Sequence, residues 1–218
     1  MLTKPKIFMI RIKGNPVSEA YAEYCAKSWE AVDWDFEFYD AVTPDTLDQQ
    51  DGALRFDLKQ KKLTETEKAC FYSQYNLWKE CAKGLTPYLV LEHDAFLEKP
   101  EAIIANPELF IQYFGQHSME AVLYTPAGCR RLMGYIKRNK VIGPMRTVDD
   151  CIGMFNNKDP QSSFRLPHAR FIGPYAPVKS VVDLSLGTTI DKVNGRQVVD
   201  RIIEDDQANL FKVVSLKR

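Results

Sequence analysis

Short apolar runs alternate with segments of helical spacing over the first ~140 residues, the pattern of a β/α chain. Ile7 to Ile12 is a β-rich run closed by Gly14, Asn15 and Pro16, and Tyr21, Tyr24, Cys25 and Trp29 then recur at helical spacing between Ser18 and Trp29. Phe36 to Tyr39 reads as a short second strand, and Thr43 to Gly52, with Pro44 and several aspartates, reads as loop. Thr64 followed three residues on by Glu67 is a capping box, and it opens a helix whose inner stripe is expected at Ala69, Cys70, Ser73, Leu77, Trp78 and Cys81. Gly84 ends that helix and Pro87 leads into the apolar run Tyr88 to Leu91, which closes in Glu92, His93 and Asp94.

Pro100 and Pro107 break the next stretch into short pieces. Met119 to Thr125 is a further strand candidate, with Pro126 at a helix start and a helix running through Leu132 to Ile136. Val148 to Phe155 fits a short helix with acids in its first turn, Phe164 to Ile172 an extended segment, Gly187 to Thr189 a turn, and Gln197 to Asp205 a helix. The alternation predicts an α/β fold, a mostly parallel sheet with helices on both faces. A single domain over 1–218 is expected.

That topology gives the acidic triplet its interest, because parallel α/β sheets bind ligands beyond the carboxyl ends of their strands. Two acids spaced i, i+2 there can share one hard divalent cation. On a continued strand Glu92 and Asp94 would share a face, with His93 pointing the other way.

Composition narrows the partners. Lys plus Arg and Asp plus Glu number 29 each, which leaves no excess positive charge for nucleic acid. No apolar stretch approaches the ~20 residues of a membrane span, so any membrane contact is peripheral. The five cysteines are spread without C-x-x-C pairing, as in a reduced, cytoplasmic protein, and the N-terminal segment carries no export signal. His93, His117 and His168 lack the spacing of a zinc set.

Leu63-Thr64, Glu67, Cys70, Ser73, Trp78 and the apolar strand into Glu92-x-Asp94 resemble glycosyltransferase family 25, the lipopolysaccharide-type galactosyltransferases. The family pattern is L-T-x-x-E-x-x-C-x-x-S-H-x-x-x-W, then V-L-E-D-D; here S-H is Ser73-Gln74 and E-D-D is Glu92-His93-Asp94. Ala121 to Leu132 is similar to the family's next strand and helix, Thr147-Val148-Asp149 to its P-V-D motif, and Ile10-Arg11-Ile12 to its opening strand.

The resemblance implies a GT-A-like, Rossmann-like fold and an inverting transfer of a hexose, galactose being one candidate, from a UDP-sugar to a saccharide or glycoconjugate hydroxyl. It implies Mn2+ or Mg2+ at Asp94 and Glu92, and a general base at Asp149 with Asp150 as its neighbour. Arg11, Lys13, Glu92 and Ser73 are the residues expected around the bound nucleotide sugar. Two rivals are a degenerate relative that binds nucleotide or sugar without turnover, and a metal-dependent phosphohydrolase, which would need more carboxylates around the ion.

Overall fold

The computed structural model describes residues 4–54, 56, 63–106, 109–115, 119–139, 168–170 and 177–180. Strand β1 (Lys6–Arg11) leads to helix α1 (Pro16–Trp29), and β2 (Asp35–Asp40) leads through a 3-10 helix (Pro44–Gln49) to α2 (Glu65–Lys83). Strands β3 (Tyr88–Glu92), β4 (Ala95–Leu97), β5 (Ile111–Tyr113) and β6 (Ala121–Tyr124) follow, then α3 (Pro126–Asn139), β7 (His168–Arg170) and β8 (Val178–Ser180).

Helix α1 starts two residues before the expected Ser18, because Asn15 caps it. The Asn15 carboxamide oxygen accepts from the Val17 and Ser18 amides at 3.1 and 3.0 Å, and Pro16 fills the first helical position. At α2 the capping box forms as expected. Thr64 Oγ1 accepts from the Glu67 amide at 3.1 Å, and the Glu67 carboxylate accepts from the Thr64 amide at 2.7 Å.

The main sheet has the order β2-β1-β3-β6-β5-β7. β1 pairs in parallel with β2 and β3, and β6 runs antiparallel between β3 and β5, so the sheet is mixed and mostly parallel. Both faces are covered. Ile7, Met9, Leu89 and Leu91 pack with Ala22, Cys25 and Trp29 of α1. Val90, Val122 and Tyr124 pack on the other face with Trp78 and Cys81 of α2 and Leu132 of α3. Burial on both faces explains why β3 reads as an unbroken apolar run.

Two local expectations are corrected, and one element is new. The stretch assigned to loop after Thr43 contains the 3-10 helix, which ends before Gly52 takes a positive φ of 64°. Cys70 is exposed, whereas Phe71, Tyr72, Gln74 and Tyr75 are buried, because α2 is enclosed on several sides and a single stripe does not describe it. β4 and β8 form a separate two-stranded ribbon that three-residue strands could not announce.

Candidate functional site

β1, β2 and β3 end in register at one edge of the sheet: Arg11 pairs with Asp40, and Ile10 with both Tyr39 and Glu92. Strand β3 stops at Glu92, whose amide donates to the Glu120 carbonyl at 3.0 Å. His93 and Asp94 then form the turn into β4. Asp94 is 6% exposed and accepts a hydrogen bond from the Ser180 hydroxyl, in the strand that pairs Ser180 opposite Ala95.

This turn overrides the period-2 expectation. Val90 packs toward α2 and Leu91 toward α1, so alternation turns Glu92 toward α2. Asp94 lies on the α1 side, close enough to Cys25 for its charge to add to the effect of burial, which pushes that thiol well above its ordinary value. Glu92 and Asp94 therefore do not share a strand face. His93 is also on the α1 side, its ring 6.0 Å from that of Tyr21, and its Nε2 is sealed without a hydrogen-bond partner among the described residues. Burial lowers the His93 pKa, and the Asp94 charge opposes it.

Arg11 and Lys13 converge on one carboxylate. Arg11 Nε lies 3.3 Å from Asp40 Oδ1 and Lys13 Nζ 3.0 Å from Oδ2, while the Arg11 guanidinium sits over the Phe38 ring at 4.5 Å. The Lys13 hydrogen bond lowers the Asp40 pKa most, slight burial opposes it, and Arg11 adds to the lowering. Ser73 is buried, with its hydroxyl donating to the Ala69 carbonyl at 3.0 Å and accepting from the Val42 amide at 2.9 Å. Its hydroxyl proton is thus spent inside α2, and its visible work is to hold the loop after β2 against the helix.

Asp149 and Asp150 lie outside the described residues, as do Cys151 and His117. Among the described residues no group of three or more His, Cys, Asp and Glu side chains converges to hold a metal. Asp94 is a nearly enclosed carboxylate that makes no ion pair among the described residues, a costly state that a cation would relieve. Ser180 and Glu120 were not singled out in the sequence. Glu120 carried a weak signal as the acid that opens the apolar run of β6, and Ser180 carried none.

A sequence profile of glycosyltransferase family 25, described as an LPS biosynthesis protein family, matches residues 5–138, more than half of the chain. The chain belongs to glycosyltransferase family 25. The lipooligosaccharide biosynthesis protein lic2B of Haemophilus influenzae is 35% identical over 97 residues, 43% of this chain and 36% of that protein, so the match spans about a third of that relative. Among solved structures, a glycosyltransferase involved in glycosylation of the major capsid of PBCV-1 aligns with a TM-score of 0.51 at 11% identity, covering 93% of this chain and 100% of the other. The galactosyltransferase LgtC with donor and acceptor sugar analogs aligns at 0.45 and 12% identity, over 93% of this family 25 chain and 95% of that one, too loosely to add to the assignment. The fold of this family 25 chain is accordingly the GT-A-like α/β fold.

Proposed function

We propose that this chain is a metal-dependent, inverting glycosyltransferase that moves a hexose, with galactose the first candidate, from a UDP-sugar to a hydroxyl of a saccharide or glycoconjugate. The observation that supports the reading is the enclosed Asp94, which makes no ion pair among the described residues, at the carboxyl edge of the parallel strands. A bound manganese or magnesium ion would supply positive charge to the diphosphate leaving group.

In this reading Asp94 offers Oδ1, the oxygen not engaged by Ser180, while Ser180 orients the carboxylate. Glu92, from the α2 side, reaches the ion through water or holds ribose hydroxyls. Arg11 and Lys13, gathered by Asp40, meet uridine or phosphate. Ser73 contributes by fixing the loop at Val42. Asp149 takes the proton of the acceptor hydroxyl with Asp150 beside it, two roles that rest on the motif alone.

The acceptor class follows the relative's description, a saccharide of the lipooligosaccharide kind, and a lipid-linked acceptor would bring peripheral membrane contact. No helix among the described residues is long and apolar enough to cross a membrane. The spread of the cysteines without C-x-x-C pairing supports a cytoplasmic setting.

A second reading, a binding module without turnover, draws on the altered motif positions Gln74, His93 and Arg11. Turnover separates the two, and calorimetry on Asp94→Asn tests the first: UDP affinity should lose its dependence on manganese, and unchanged dependence would remove Asp94 from the ion.

A further inference from the structure

Charge balances over the whole chain, at 29 basic and 29 acidic residues, but it does not balance helix by helix. Helix α1 carries Glu19, Glu23 and Lys27. In α2 every lysine has an acid: Lys68 pairs with Glu65 at 2.6 Å, Lys79 with Asp51 at 2.6 Å and Lys83 with Glu80 at 2.7 Å. Helix α3 is different. Its 14 residues include Arg130, Arg131, Lys137 and Arg138 and no acid.

The four cations share one face. At 3.6 residues per turn they fall, with Gly134 between them, within an arc of about 120°. That arc lies opposite Cys129, Leu132 and Ile136, which are buried in the core, and all four basic residues are exposed. Two of them are fixed by neutral neighbours. Arg130 Nη1 donates to the Ala82 carbonyl at 2.8 Å in the last turn of α2, and the Arg131 guanidinium sits over the Phe110 ring at 4.7 Å. Neither contact cancels the charge, and Arg130, Arg131 and Lys137 make no ion pair among the described residues. Like charges gathered in this way repel one another and attract an anionic partner.

An apolar side chain stands close by. Ala82, whose carbonyl Arg130 holds, is followed by Lys83, by the C-cap Gly84 and then by Leu85, which is 85% exposed. One exposed leucine means nothing alone. Beside a cationic face it discriminates between anionic partners, because the phosphates of a nucleic acid offer it no apolar contact, whereas the boundary between headgroups and acyl chains of a bilayer does.

We propose that the outer face of α3, with Leu85 beside it, docks this chain on an anionic lipid bilayer. Arg130, Arg131, Lys137 and Arg138 meet the headgroup phosphates, and Leu85 enters the layer below them. The surface depends on neither the donor nor the metal of the function proposed above, and its test contains neither.

The test is co-sedimentation of the full chain with vesicles of phosphatidylcholine alone and of phosphatidylcholine and phosphatidylglycerol in equal parts, at low and at physiological ionic strength. Binding is expected to the anionic vesicles alone, and it should weaken as salt rises. Arg131→Gln combined with Lys137→Gln should lower the partition coefficient roughly 25-fold, about five-fold for each charge. Lys27→Gln removes one charge from α1, on the other face of the sheet, and should stay within about two-fold of wild type. Leu85→Ser should weaken binding without changing its dependence on salt, the mark of an apolar contact. The charge variant and the leucine variant test the surface separately, so either remains decisive should the other fail to fold.

The proposal is overturned if the chain binds neither kind of vesicle or both alike, if the glutamine pair or Leu85→Ser binds as wild type does, or if Lys27→Gln weakens binding as much per charge as the pair. Tighter binding to a short DNA duplex than to the anionic vesicles, at equal phosphate concentration, would overturn it as well and give the face to nucleic acid. Loss of the nucleotide reading would leave vesicle binding untouched, and absence of vesicle binding would leave the nucleotide reading standing.

Discussion

The Ser180 hydroxyl hydrogen-bonds the Asp94 carboxylate across 86 residues of sequence, tying the turn after the central strand to the ribbon formed by β4 and β8. A nearly enclosed charge is being oriented by a neutral donor. Ser180→Ala leaves that oxygen without its partner and should cost about 1–3 kcal/mol in urea unfolding at unchanged m-value. A variant within about 0.5 kcal/mol of wild type, the range of an ordinary surface substitution, would mean that the bond does not hold the turn.

Asp40 reports on the basic pair at the ends of β1 and β2. Its pKa is lowered in the folded chain, chiefly by the Lys13 hydrogen bond, so the stability it contributes is present above the usual 3.8 and is lost as pH falls through the lower folded value. Its carboxyl resonance should titrate with a midpoint below 3.8, and Lys13→Ala should move that midpoint upward. A wild-type midpoint at or above 3.8 contradicts the gathered geometry.

The assignment of Asp149 rests on its motif, and kinetics can test it. Asp149→Asn should keep UDP-sugar affinity while lowering transfer by about two orders of magnitude or more. Transfer at the wild-type rate would mean that another group takes the acceptor's proton.

The fold was legible where local chemistry and burial agree. The Thr64–Glu67 box, Gly84 and the apolar run of β3 each state their element locally, and the structure bears them out. Burial on both sides of the sheet was legible for the same reason, since a strand covered on two faces must be apolar at successive positions. The site was only half legible. Glu92 and Asp94 were found by their place at a strand end, but their shared face was inferred by extending the strand beyond Glu92, where the chain turns. Ser180 reaches Asp94, and Glu120 reaches Glu92, through pairing between distant segments, which no local period records. The inner face of α2 was misread at Cys70 because packing on several sides of a helix erases the single stripe that periodicity seeks.

The most direct measurement is a thermal-shift comparison of wild type with UDP, GDP, CMP and their sugar conjugates, each with and without manganese, since a ligand of the native state raises apparent stability by mass action. The proposed function predicts a rise with UDP and UDP-sugars that requires manganese, and none with the other nucleotides. No shift with any nucleotide, or an equal shift without the metal, would contradict a metal-dependent UDP-sugar site at Asp94.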